Sequence, residues 1–401
     1  MLSVEETKFS TLIDKLTATL DSLRKSYNNA ESAGPTAVRA KQQSLSSLQA
    51  LQRGVAELTT LIAPKDAITL MTGGFIETKA LVSAVELGVA EALGEAELST
   101  AELAIVVGAD QGKLRQVMSL LANRCIFHQR GDAFSNNAVS ALLREDDPMS
   151  MKSLVGHWGT DTYRAALSLP EGLLIENALK SPWELQVGES FYKWVHEPVN
   201  AASSTKVNNA MQSFNGSIQC DLVTGFDWSS LGDTATLVDV GGGTGAIDLA
   251  LLKQWPKLHV ELQDLPDVIE QAKAEWSKSC PDLCSRASFV VQDFFQPQLC
   301  IHKHYFIKQC LHNWGDDDCL RILGNLRKSI SCDGRLYAAE FVMTPDASAI
   351  KHIIDVNMLA LVNSLQRTEK AFVDLFQKAG FRVITVHQST GAISLIEAVP
   401  S

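Results

Sequence analysis

The sequence predicts an α/β protein: a doubly wound, mostly parallel sheet with an antiparallel strand at its end, preceded by a helical region. Three observations carry that prediction. From residue 236 onward, strand-like segments ("TATLVDV", "LHVELQDL", "ASFVVQDFF", "HYFIKQCLH", "GRLYAAEFVM") alternate with helix-like ones, the order that puts helices on both faces of a parallel sheet. The last two strand segments, "FRVITVHQS" and "AISLIEAV", are only about three residues apart, too few for a crossover, so they form an antiparallel hairpin. Before residue 236 the apolar spacing is mostly helical.

The 401 residues, 46% hydrophobic and 20% charged, suffice for two domains plus accessories. Residues 1–62 read as two amphipathic helices: Leu12, Leu16, Leu20 and Leu23 share a face, and "SLSSLQALQRGVAELTTLI" follows the break "NNAESAGPTA". Such helices cannot stand alone in water, so a cover is expected from the rest of the chain or a second copy, making a homodimer or larger assembly. Residues 63–200 are expected to hold a winged-helix dimerisation region, with "CIFHQRGDAFS" as two short strands about a turn, and then a helical substrate region. The latter carries Trp158, Tyr163, Trp183, Phe191, Tyr192, Trp194 and Phe214, fit to fill a core or line a pocket. Residues 201–401 hold the sheet.

A formal charge of -11 without any Lys/Arg run excludes a phosphate-tracking surface. The helix at 111–123, where a winged helix would read DNA, offers only Lys113, Arg115 and Arg124. No nucleic acid is expected as a partner. The opening "MLSVEETKFS" lacks a basic segment with an apolar core, and no apolar run approaches the roughly 20 residues of a membrane span, so a cytoplasmic protein without a membrane partner is expected. Eight cysteines are scattered without a CxxC pair, and Cys280 and Cys284 with His302 and His304 match no usual metal module. Reduced thiols and no metal are expected.

The segment "LVDVGGGTG" places Gly241 to Gly245 at the first strand-to-helix turn, where a ligand touches backbone in a doubly wound sheet. It is neither a P-loop nor a dinucleotide fingerprint, since Ala246 follows and no lysine does. Asp264 ends the next strand, placed to accept both hydroxyls of a ribose, and Asp293 ends the third, within reach of an adenine amino group. The ligand has a ribose and lacks a pyrophosphate.

These motifs, with "LQDLP", "VVQDFF", "IKQCLHNWGDDDC", "GRLYAAEFV", "DVNMLAL" and "QRTEKAFVDLFQKAGF" in order, make the C-terminal half resemble the S-adenosylmethionine-dependent O-methyltransferases of the plant caffeate and fungal secondary-metabolite type. The resemblance implies a Rossmann-like methyltransferase domain behind a winged-helix dimerisation domain. It also implies that Gly241 and Gly243 approach the methionine part of the cofactor, Asp264 the ribose, Asp293 and Phe294 the adenine, Lys308 the methionine end and Trp314 the adenine face. His312 stands at the position of the general base, Glu340 at that of the acid orienting it, and Met358, Leu361 and Val362 near the small-molecule acceptor. A neutral imidazole with its ordinary pKa near 6.5 is suited to take a phenolic or enolic proton.

Two positions depart from the family pattern. Asn313 follows the histidine where Asp is common, and Gln366 replaces a Glu that usually helps hold the base; an amide hydrogen-bonds but does not raise the histidine's basicity by charge. Some fungal relatives keep fold and cofactor yet catalyse dehydration or pericyclic ring closure with a histidine from the preceding helical region, and His157 lies in that region. The alternative expectation is therefore a pericyclase or dehydratase using His157 and His312. A non-catalytic winged-helix regulator is disfavoured by the missing basic face.

Overall fold

The computed structural model describes residues 4–30, 35–147, 149–232, 234–345, 347–387 and 393–401. Among the residues singled out above, the Phe214 and Cys220 side chains lie outside the described set. The chain forms two compact units, Met1–Ser140 and Ala141–Ser401.

In the first unit, α1 (Val4–Ala30) packs on α2 (Pro35–Ile62). Small residues line the seam and let the helices approach closely: Ser44 Oγ donates to Ser26 Oγ at 2.9 Å, and a Cβ on Gly54 would lie 2.4 Å from Leu16 Cδ2. α3 (Pro64–Glu86) is long and apolar enough to cross a membrane by length and composition alone. It shows no unbroken apolar run in the sequence, because Thr69, Thr72, Glu77 and Lys79 punctuate the helix. Ile68, Met71, Phe75 and Ile76 stand exposed on it.

The winged-helix order follows: α4 (Val89–Leu93), β1 (Glu97–Ser99), α5 (Thr100–Val107), α6 (Gln111–Asn123), β2 (His128–Arg130) and β3 (Ala133–Ser135), with the strands ordered β1-β3-β2. Ser99 and Glu102 close a capping box on α5, and Asp110 caps α6. Two of the three cations at α6 are neutralised, Arg115 by Asp132 at 3.5 Å and Arg124 by Glu77.

The second unit holds a seven-stranded sheet: β4 (Thr236–Val240), β5 (His259–Asp264), β6 (Ala287–Val291), β7 (His302–Lys308), β8 (Ile330–Phe341), β9 (Phe381–His387) and β10 (Ile393–Pro400), in the order β6-β5-β4-β7-β8-β10-β9. The first five are parallel; β10 is antiparallel to both β8 and β9. The expected antiparallel end is present, with the chain's last strand inside the hairpin and β9 at the edge. The turn at 388–392 lies outside the described residues.

β4 is buried on both faces: Val238 and Val240 join Ile307, Leu323 and Phe376, while Leu237 joins Trp228, Leu251 and Phe306. That is why it reads as a continuous apolar run. The chain leaves β4 for β5 on one side and reaches β7 on the other, so a crevice opens at the carboxyl ends of these strands.

Candidate functional site

The turn after β4 fills the bottom of that crevice. Gly241 has φ +68, and a Cβ there would meet Cys310 Sγ at 3.0 Å and the Phe294 ring at 3.2 Å. At Gly242 a Cβ would collide with Asp239 Oδ2 and Leu262 Cδ1, both at 2.4 Å. The turn is therefore bare because the protein packs against it from beneath, as well as to admit a ligand from above. Gly243 N–H donates to Asp264 Oδ2 at 2.8 Å and Leu265 N–H to Oδ1 at 2.7 Å. Each Asp264 oxygen keeps a lone pair for a ribose hydroxyl. Burial raises this carboxyl's pKa against the pull of the Leu265 and Gly243 donors.

Asp293 lies two residues past β6, where its Oδ1 accepts the Phe295 N–H at 2.9 Å. Phe294 and Phe295 meet Trp314 edge to face, with centroids 6.2 and 4.8 Å apart. These rings make one apolar wall beside the glycine turn, fit for an adenine. Lys308 ends β7, with Nζ 3.0 Å from Gln309 Oε1. Gln309 holds a left-handed φ of +52, a conformation that costs a non-glycine residue on the order of 1–3 kcal/mol and that clusters at functional sites. Its N–H donates to Ala339 O at 2.9 Å, which fixes where β7 ends and the next turn begins.

That turn, Leu311–Asn313, carries His312. The imidazole is buried, stacks on Phe341 at 6.0 Å, and has Nδ1 3.5 Å from Glu340 Oε2 and 3.4 Å from Gln366 Nε2. Glu340 projects from β8, fully buried; its Oε1 accepts the N–H groups of Cys310 at 3.1 Å and Leu311 at 2.8 Å. Among the described residues Oε2 has no hydrogen-bond partner, and neither has Gln366 Oε1. Exchanging the two ends of the Gln366 amide, equivalent in shape, presents the orphaned oxygen to Nδ1 as an acceptor. Nδ1 then carries the proton and Nε2, which no described residue bonds, keeps its lone pair open.

Burial pushes His312 down to about 3, with Lys308 and Arg367 adding to the shift. Burial pushes Glu340 up to about 7, against the Leu311 donor, Arg367, the Cys310 donor and Lys308. The ordinary imidazole pKa expected from sequence therefore does not apply: burial keeps the imidazole neutral, and the carboxyl is the member that titrates near neutrality.

Arg367 and two buried aspartates were not singled out from sequence. Arg367, buried, donates to Leu311 O at 3.0 Å, Trp314 O at 2.8 Å and Asp316 Oδ1 at 2.8 Å, clamping both ends of the His312 turn. Asp239 and Asp248 flank the glycine turn with both carboxyls fully buried. The signal for Asp248 was available, since it is an acid inside the apolar helix "AIDLALLKQ".

Of the positions expected near the acceptor, Met358 is partly buried and packs against the core cluster that includes Phe341 and Ile354. Leu361 and Val362 instead join Trp183, Phe191 and Val195 in an aromatic core. His157 stands apart in its own network. Its Nδ1 lies 3.0 Å from Asp161 Oδ2, which also receives Lys206 at 3.0 Å. Burial opposes ionisation of Asp161, but the His157 and Lys206 bonds outweigh it and hold the carboxyl below its usual range. A π-turn, Trp158–Thr162, places this network. Both that turn and the His312 turn pack on the helix Ala349–Val362.

Two family profiles match the sequence, an O-methyltransferase domain over residues 172–382 and an O-methyltransferase dimerisation domain over 69–146. The chain is 30% identical to the mitomycin biosynthesis 6-O-methyltransferase of Streptomyces lavendulae, over 80% of this chain and 90% of that one. The solved structure of the mitomycin 7-O-methyltransferase MmcR superposes with a TM-score of 0.75 at 29% identity, covering 84% of this chain and 98% of its own. The calicheamicin-biosynthesis methyltransferase CalO1, solved in its SAH-bound form, does so at 0.74 and 26%, covering 84% and 99%.

Proposed function

Because the chain belongs to the S-adenosylmethionine-dependent O-methyltransferase family, we propose that it methylates an oxygen of a phenolic or enolic small molecule of secondary metabolism, with His312 as general base. The observation that carries this reading is a buried imidazole whose Nδ1 is flanked by Glu340 and Gln366 while Nε2 has no partner among the described residues.

The cofactor supplies an electrophilic methyl group on a sulfonium sulfur. Everything else falls to the chain. The acceptor hydroxyl gives its proton to His312 Nε2 as its oxygen takes the methyl, and the imidazolium so formed is stabilised through Nδ1 by Glu340 Oε2 and an amide oxygen of Gln366. Asp264, Asp293, Phe294, Trp314, Lys308 and the bare turn at Gly241 and Gly243 hold the cofactor in line. The glycine turn without Cβ atoms, the open lone pairs of Asp264 and the aromatic wall all fit that cofactor.

A second reading is favoured by the His157–Asp161–Lys206 network: a pericyclase or dehydratase on a polyketide or pyridone-type intermediate, with His157 donating a hydrogen bond. Incubation with methyl-labelled S-adenosylmethionine and a panel of phenols, polyketides and pyridones separates the two. Label in the product that is lost in His312→Ala supports the first; unlabelled isomerised product lost in His157→Ala supports the second.

The expected partner besides the small molecule is a second copy of the chain. The dimerisation-domain match and the exposed apolar residues of α3 support it, and light scattering at micromolar concentration tests it against the 43.6 kDa monomer. The neutralised cations of α6 support the absence of a nucleic-acid role.

A further inference from the structure

Asp239 closes β4 and Asp248 lies in the first turn of the helix Ala246–Gln254 that follows the glycine turn. The two carboxyls act directly on each other, and neither has any exposed surface. None of their four oxygens receives a donor from the rest of the described residues. The turn's own amides point away, since Gly241 N–H and Gly242 N–H donate to Gln263 O at 2.8 and 3.2 Å. Asp239 Oδ2 is aimed up at the turn, 2.4 Å from where a Cβ of Gly242 would be.

Two carboxyls so placed cannot both ionise. Burial raises Asp239 to about 7, against Lys308 and the bond from Asp248, with Asp264 adding to the rise. It raises Asp248 further, with the Asp239 charge adding. The charged and titratable groups facing them are Lys308 at the end of β7, Asp264 at the end of β5 and the Cys310 thiol. Lys308 is held in common with Glu340 and His312, so one ammonium serves two acidic sites.

We propose that the Asp239–Asp248 pair gives up a proton when the cationic cofactor binds, so that the chain prefers S-adenosylmethionine to its uncharged-sulfur product S-adenosylhomocysteine. The proposal rests on the cofactor assignment and adds the means of discrimination. The balance is simple. The doubly protonated pair is neutral, the sulfonium brings one fixed positive charge, the pair releases one proton to solvent, and the resulting anion lies under the turn that holds the methionine part. Transfer of the methyl group removes the sulfonium charge; the pair then recovers its proton, and the product is held less tightly. Asp239 and Asp248 act as positioning residues, since neither touches the reacting atoms.

Isothermal titration of the full chain with each compound, in buffers of different ionisation enthalpy at neutral pH, counts the protons released. The wild type should release a clear fraction of a proton with S-adenosylmethionine and markedly less with S-adenosylhomocysteine. The affinity ratio of the two should rise about three- to tenfold between about pH 6 and about pH 8, because binding linked to one proton gains up to about tenfold per pH unit. In Asp239→Asn the difference in proton count should vanish and the ratio flatten. Asp248→Asn, which keeps a donor for Asp239, should shift the titration toward acid and leave S-adenosylmethionine bound tightly across that range. Equal proton release for the two compounds in the wild type overturns the proposal whether or not the variants fold. Binding of neither compound overturns the cofactor assignment, and the proposal with it.

Discussion

Two buried histidines in the second unit each have a carboxyl group at Nδ1, and they are wired in opposite ways. His157 sits 3.0 Å from Asp161, whose charge is matched by Lys206 and held below its usual range. His312 sits 3.5 Å from Glu340, whose facing oxygen has no hydrogen bond among the described residues and whose pKa is driven up to about 7. The first pair is satisfied where it stands. The second holds a polar deficit that a protonated imidazole would relieve, the condition that arises during proton abstraction. The difference teaches that two buried histidines can differ in what they are ready to do: the general-base role proposed for His312 rests on its unfinished hydrogen-bond set, since burial is common to both.

The comparison breaks most visibly at His312. His312→Ala should lower turnover by roughly a hundredfold or more, the usual scale for a positioned proton acceptor, with cofactor affinity nearly constant. Steady-state kinetics beside calorimetry measures both; turnover within threefold of wild type would remove His312 from the chemistry.

Glu340 sharpens it. In the wild type, turnover should rise as pH passes through about 7, because only the ionised carboxyl strengthens the imidazole as a base. Glu340→Gln keeps an oxygen for the Cys310 and Leu311 amides but cannot ionise, so the rise should disappear and turnover at pH 8 should fall by about tenfold. Stability carries the opposite sign. Burial raises the folded pKa of Glu340 from the ordinary carboxylate range to about 7, so its contribution is present at acid pH and is lost as pH rises through about 7. The variant's thermal unfolding should therefore depend less on pH across that window.

Gln366→Glu restores a charge beside Nδ1. Turnover at about pH 6 should increase by about threefold to tenfold, since a carboxylate there favours the imidazolium. A decrease would mean that the amide, rather than a charge, is what this site requires.

The smallest catalytic effect is expected at His157. His157→Ala removes a buried hydrogen bond and should cost about 2 kcal/mol in denaturant unfolding, with methyl transfer by the folded enzyme within a few fold of wild type. Loss of all product formation by a variant that remains folded would reverse the contrast between the two histidines.

The glycine turn, Asp264 and His312 were legible in the sequence because each is set by local order: an apolar strand, then a turn, then a polar residue at the strand's end. Arg367 was not, since its contacts reach back more than fifty positions to carbonyls of the His312 turn, and nothing local announces them. The pKa of His312 was illegible for a related reason, because burial is a property of the packed unit. Leu361 and Val362 share the helical face expected to meet an acceptor, yet Trp183 and Phe191 cover that face. Their covering comes from the helical region, whose order in space the spacing of apolar residues does not encode.

The place of β10 between β8 and β9 bears on how the chain is made. Ile393 to Ala398 are buried, and the strand bonds to both neighbours. Until those residues have left the ribosome, β8 and β9 each present an unpaired edge beside an apolar surface, a template for pairing with other chains. The sheet closes only when β10 enters between them, through contacts distant in sequence, so a nascent cofactor-binding unit that still lacks this strand leaves both edges open to mispairing.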